Sequence, residues 1–142
     1  MKVSRLFTIL IYLSYLTDKV KPQDLLIDGF SPTPFREDCS DTVWRPRGGV
    51  CCYYKEHLPI INRTDLANNI EETLVCEIRL RNKKIFIVLS YRPPSNSTVN
   101  QIADYCNKLS SLIESIPSTK PAAVVLMGDL MHVLLFFGMA KL

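Results

Sequence analysis

Two places in this sequence carry side chains whose type and position could do chemistry. Tyr91 precedes Arg92-Pro93-Pro94 at the end of one apolar run, and Asp129 follows Gly128 at the end of another. In α/β sheets catalytic groups commonly sit where strands end, because there the backbone turns and side chains face a cleft. An aspartate delivered to such an end by a glycine can act as a metal ligand or as a base toward water. A Gly-Asp pair is also an ordinary turn, so neither place alone specifies an activity. Arg36, Arg45, Arg47, Lys55, Arg63, Lys83 and Lys84 could line a groove for a DNA backbone or form a solvated surface.

The elements that must position these groups follow from periodicity. Leu6 to Leu16 reads as a buried strand, with a helix as the competing assignment, and Leu25 to Ile27 as a short strand closed by Asp28-Gly29. Prolines 32, 34 and 46 make Ser31 to Arg47 loop-like, and Val50 to Tyr54 is a strand after Gly48-Gly49. Leu74, Cys76, Ile78 and Leu80 alternate with Thr73, Val75, Glu77 and Arg79, the period-two pattern of a half-buried strand. The polar turn Arg81 to Lys84 joins it to Ile85 to Tyr91, a run apolar on both faces and therefore central in an antiparallel hairpin. Pro93 and Pro94 end that strand, and Ser95, Ser97 and Thr98 are candidate helix caps. Val99, Ile102, Cys106, Leu109, Ile113 and Ile116 then form an amphipathic stripe that Pro117 stops. Ala122 to Met127 is a short apolar strand. The fold class is α/β (α+β): a mostly antiparallel sheet with a helix outside it and no second domain.

At 142 residues and 47% hydrophobic, the chain is long and apolar enough to bury a core, which excludes intrinsic disorder. A net charge of +3 is too mild to announce nucleic-acid binding by itself. No apolar run approaches the roughly 20 residues that a membrane helix needs. The five cysteines form no CxxC or Cys/His pair at zinc spacing and read as core thiols in a reducing compartment. Lys2 and Arg5 before the uncharged Leu6 to Thr17 mimic a secretory signal, and Asn62-Arg63-Thr64 and Asn96-Ser97-Thr98 are glycosylation sequons. No small-residue cleavage site follows, so an intracellular location, nuclear or cytoplasmic, is expected over secretion.

The segments DLLIDGF (Asp24 to Phe30), PFRED (Pro34 to Asp38), GGVCCYYKEHL (Gly48 to Leu58), ETLVCEIRL (Glu72 to Leu80), KKIFIVLSYRPPS (Lys83 to Ser95) and VVLMGDL (Val124 to Leu130) resemble, in this order, one family. It is the endonuclease/exonuclease/phosphatase superfamily, and within it the apurinic-type endonuclease domain of LINE-type (non-LTR) retrotransposons. The resemblance runs over about residues 13–131, leaving 132–142 as a divergent tail in which His132 has no role. It implies a four-layer α/β sandwich that hydrolyses DNA phosphodiesters with Mg²⁺. It also implies that Tyr91 contacts the scissile phosphate and that Asp129, in place of the aspartate of a GDFN motif, orients or deprotonates the attacking water. Arg36 and Arg92 become candidate nucleic-acid contacts.

Part of the family's site is missing. Met131 stands where the GDFN asparagine belongs, and a thioether cannot donate a hydrogen bond. The metal-binding glutamate of an LSET-like segment should follow Leu13-Ser14; Tyr15-Leu16-Thr17-Asp18 stands there, and Asp18 is the nearest carboxylate. The family's early asparagine strand is expected to precede the first residue and its final Asp-His pair to follow the last. Losing one member of a group that works as a unit costs orders of magnitude in rate. Residues 1–142 are therefore expected to be a single incomplete, catalytically inactive endonuclease domain. DNA is its implied partner, without a membrane, and Mg²⁺ is a family cofactor for which the key glutamate is absent. An exposed sheet edge would favour self-association. The alternatives are a domesticated, non-catalytic DNA- or protein-binding module and a small secreted glycoprotein.

Overall fold

The computed structural model describes residues 10–13, 26–31, 35–38, 49–67, 70, 72–92, 98–116 and 122–128. Their elements are β1 (Leu10–Leu13), β2 (Phe35–Asp38), β3 (Gly49–Tyr53), β4 (Ile60–Asn62), α1 (Thr64–Ala67), β5 (Thr73–Arg79), β6 (Lys84–Ser90), α2 (Val99–Ser115) and β7 (Ala122–Met127). The chain is a mixed α+β protein, with two sheets and two helices among the described residues.

The four-stranded sheet has the order β4-β5-β6-β7. β4, β5 and β6 are antiparallel neighbours, and the turn after Arg79 closes with Leu80 N–H donating to the Lys83 carbonyl at 2.8 Å. β6 is central, as its unbroken apolar run requires. Its other neighbour, β7, is parallel to it, in register from Lys84 opposite Ala122 to Leu89 opposite Met127. A parallel partner cannot follow through a tight turn, and α2 supplies the crossover.

The second sheet has the order β1-β3-β2, both pairs antiparallel. β1 falls inside the Leu6 to Leu16 run, where the strand assignment prevails over the helix. β2 lies in the segment expected to be loop. Phe35-Arg36-Glu37-Asp38 contains no proline, so its amides can pair with β3 from Cys52 to Gly49, and Phe35 stacks on Tyr54 at 4.6 Å. The reverse correction applies to Leu25 to Ile27. Leu26 and Ile27 form no strand; they lead into a turn in which Phe30 N–H donates to the Ile27 carbonyl at 3.0 Å. Gly29 takes φ +80° there, a left-handed conformation that glycine adopts without penalty.

Two apolar clusters hold these layers together. Val50 and Cys52 of β3 pack with Ile60, Leu74, Cys76, Ile78, Ile87, Leu89 and Tyr91 between the sheets. On the other face of the four-stranded sheet, Val75, Phe86 and Val88 pack with Ile70 and with Leu109, Leu112 and Ile116 on and after α2. β5 is thus covered on both faces, and every residue from Thr73 to Ile78 is buried. The half-buried expectation for this strand was right in its alternation and wrong about the second face. α2 and the segment after β4 cover what looked like a solvent side.

α2 begins at Thr98, the nearest to the helix of the three candidate caps. Gln101 N–H donates to Thr98 Oγ1 at 3.3 Å, and Thr98 N–H donates to Gln101 Oε1 at 2.8 Å, a reciprocal capping box. Thr98→Ala is expected to lower stability by about 1 kcal/mol, read as a small fall in the urea midpoint at unchanged slope. The buried stripe is rotated from the expected one. Leu109, Leu112 and Ile116 are buried, whereas Val99 is 81% exposed. Val99 is the first residue of α2, next to its cap.

Candidate strand-end site

Parallel pairing places the C-terminal ends of β6 and β7 at the same edge of the sheet. Ser90 and Tyr91 lead out of β6, and Gly128 leads out of β7. The two ends are in close contact: a Cβ built on Gly128 would lie 1.7 Å from the Ser90 carbonyl oxygen. Gly128 also holds φ +151°, so glycine is required there by both space and conformation. The sheet thereby brings Gly128 against the residue that precedes Tyr91. Asp129 itself lies outside the described residues, as do Asp18, Met131 and His132.

Tyr91 is 6% exposed and belongs to the inter-sheet core, where its ring has the environment of an aromatic closing a central strand. Its N–H donates to the Glu72 carbonyl at 3.1 Å, which extends the β5–β6 ladder by one step. Glu72 is 7% exposed and holds φ +54°, a left-handed conformation that a side chain seldom adopts. Strain of this kind persists only where surrounding contacts enforce it, and here the enforcement comes at the same edge as Tyr91 and Gly128.

Below the edge runs a buried hydroxyl chain. Thr73 Oγ1 and Ser90 Oγ lie 2.7 Å apart across the β5–β6 pair, and Ser90 Oγ is hydrogen-bonded in turn to the Tyr105 hydroxyl of α2. Burial pushes the Tyr105 phenol above its ordinary value, more than the Ser90 bond and the Arg92 charge lower it. The Arg92 guanidinium sits over the Tyr105 ring, 5.6 Å from its centre. That contact fixes the arginine at the mouth of the edge by cation–π attraction. Sequence reasoning singled out Tyr91, Arg92 and Gly128-Asp129 and missed Glu72, Thr73, Ser90 and Tyr105. The available signal for Tyr105 was its spacing of four, seven and eleven residues before Leu109, Leu112 and Ile116, which places it on the buried stripe.

The backbone of Arg36 lies on β2, in the three-stranded sheet, opposite Cys51. Of the other basic candidates, Arg63 donates to Asp65 at 2.8 and 2.7 Å and also to Glu77, and Lys84 reaches Glu77 at 3.3 Å. Both are spent on internal ion pairs, which lowers the charge left for a DNA backbone on that face. Magnesium takes oxygen ligands, commonly one or two carboxylates with water and phosphate oxygens. Among the described residues no three His, Cys, Asp or Glu side chains come together. Glu72 is a described carboxylate at this edge, and Asp129 lies outside the described residues.

The sequon at Asn62 closes β4 opposite Cys76, with its amide oxygen buried, unlike the exposed loop that a glycan needs. Asn96 lies outside the described residues. Among the described residues no helix is long and apolar enough to cross a membrane. No family model matches the chain, and neither a curated protein nor a solved structure is significantly similar to it.

Proposed function

We propose that this chain is a fragment of a Mg²⁺-dependent DNA endonuclease domain of the non-LTR retrotransposon type, without catalytic activity of its own. The observation that supports the reading is the contact of Gly128 with Ser90, which brings the end of β6 that leads to Tyr91 and Arg92 beside the end of β7 that leads to Gly128. A phosphodiesterase of this kind needs a phosphate-contacting group and a water-orienting acid from neighbouring strand ends, and Tyr91 and Asp129 have those types in that order. The two described sheets with α2 outside are then three layers of a four-layer α/β sandwich. The edge strand β7 exposes Val125 and Met127 on the face that further strands would cover, which favours self-association of the fragment.

Arg92 retains a DNA-contacting role in this reading, with Tyr91 closing the central strand beside it, while the missing glutamate and the Asn-to-Met replacement remove turnover. The test pairs binding with cleavage, on folded protein. Fluorescence anisotropy with a duplex oligonucleotide should give weak, salt-dependent binding, and Arg92→Ala should reduce the log–log salt slope by about 1. Supercoiled plasmid with Mg²⁺ should remain as intact as in EDTA. Absence of DNA binding at low salt would sink the nuclease ancestry. Nicking abolished by both EDTA and Asp129→Ala would overturn the loss of activity instead.

A further inference from the structure

Two arginines of this fold lie over aromatic rings, and their surroundings differ. Arg63 covers Phe86 at 6.0 Å from the ring centre, and Asp65 and Glu77 take up its N–H donors. Arg92 covers Tyr105 at 5.6 Å, and among the described residues no hydrogen bond or ion pair engages its guanidinium. Strand alternation explains how Arg92 and Tyr105 meet. Ser90 turns its side chain toward α2, Tyr91 turns into the inter-sheet core, and Arg92 returns to the α2 side. Tyr105 stands on α2 four residues before Leu109, on the same helix face, and packs against the cluster beneath that helix. Its hydroxyl is hydrogen-bonded to Ser90 Oγ, which lies 2.7 Å from Thr73 Oγ1, and both Thr73 and Ser90 are buried. The ring is therefore held at its base by the helix and at its tip by the sheet.

We propose that Tyr105 is a positioning residue for Arg92, its pinned ring holding the guanidinium at the strand-end mouth in the pose that meets a DNA phosphate. The proposal rests on the DNA-contacting reading of Arg92 given above. An arginine left free samples many rotamers, and ordering it on a ligand costs up to roughly tenfold in affinity. A platform that orders the side chain beforehand removes part of that cost. The ring attracts the cation through its face, so the planar fork keeps its donors for two oxygens of a phosphate. Arg63 has no such freedom, because two carboxylates already hold it, and its contact with Phe86 belongs to the internal ion-pair network. Tyr105 itself need touch no DNA; it acts through Arg92.

The test couples two substitutions in the full chain. Fluorescence anisotropy with a duplex oligonucleotide at low salt compares the natural protein, Tyr105→Leu, Arg92→Ala and the double variant, each checked for folding by circular dichroism. Tyr105→Leu should bind about 3- to 10-fold more weakly than the natural protein and should add no further loss once Arg92 is alanine. Tyr105→Phe keeps the ring but loses its pin to Ser90, and its affinity should fall between those of the natural protein and Tyr105→Leu. Full affinity in Tyr105→Leu, or an equal loss with and without Arg92, would overturn the proposal; the second result would mean that Tyr105 only supports the fold. A further readout needs neither DNA nor a substitution at Tyr105. In NMR spectra of arginine side chains, the Arg92 Nε–H signal, assigned by its loss in Arg92→Ala, should be displaced upfield by the ring current. An undisplaced signal would overturn the proposal even if Tyr105→Leu did not fold. Absence of DNA binding by the natural protein would overturn the DNA reading and this proposal together, whereas lost coupling with binding intact would overturn this proposal alone.

Discussion

Gly128→Ala should destabilise the folded protein by roughly 3–5 kcal/mol, more than any other single-methyl addition at the strand-end edge. The added Cβ would meet the Ser90 carbonyl oxygen at 1.7 Å, well inside any permitted contact. Neither partner can yield by rotating a side chain, because the obstructing atom is backbone in the central strand. Relief requires β6 and β7 to separate at their C-terminal ends, which breaks the last step of the parallel ladder. The left-handed φ of +151° adds conformational strain to the collision. Gly29→Ala separates the two contributions. Gly29 is also left-handed, at φ +80°, but has nothing within 4 Å of the added carbon. It should cost only about 1–2 kcal/mol, the strain alone. Urea unfolding of both variants measures the difference. Equal costs would mean that β6 and β7 do not approach at this edge, and the alignment of the Tyr91-bearing strand end with Gly128 would fall with it.

That alignment was only half legible beforehand. The strand ends themselves were readable, because Pro93-Pro94 and Gly128 are local signals that act through backbone geometry. The neighbourhood of the two ends was not, because it depends on β6 and β7 being parallel partners across a helix, a relation between residues about forty positions apart. Similarly, the period-two alternation of β5 correctly separated Leu74, Cys76 and Ile78 from Val75 and Glu77. It gave no information on whether the second face met water or α2, since charge at Glu77 and Arg79 argued for water. β2 was hidden for a different reason. A strand of four residues between prolines carries too little apolar pattern to outweigh the turn signals around it, and only pairing with β3 makes it a strand. Glu72 illustrates the remaining class: a left-handed glutamate has no sequence signature, because the constraint lies in the surrounding fold.

The charge that misled the reading of β5 is itself a structural element, and Glu77→Gln should lower stability by about 2–3 kcal/mol at neutral pH. The Glu77 side chain is fully buried and accepts hydrogen bonds from Arg63 and from Arg79 Nε at 2.9 Å, with Lys84 Nζ at 3.3 Å. Arg63 lies over the Phe86 ring, 6.0 Å from its centre, and is held on its outer side by Asp65. Arg63 thus roofs the carboxylate, which is how a charge comes to lie on a covered face of the sheet. Burial pushes the Glu77 carboxyl up, but the hydrogen bonds from Arg79, Arg63 and Lys84 together outweigh it and hold the carboxyl below the usual carboxylate range. A folded-state value below the unfolded one stabilises the folded form above the unfolded pKa of about 4.3, and that contribution is lost as pH falls through the folded value. The urea midpoint of the natural protein should therefore drop toward that of Glu77→Gln as pH falls below about 4, with the gap widest at neutral pH. The amide does not titrate, so subtracting the two curves removes the contribution of every other carboxylate. A gap that stays constant down to pH about 2 would show that Glu77 is not the charged centre of this network. In that case Arg63 and Lys84 would regain their charge for a partner on the outer face of the sheet.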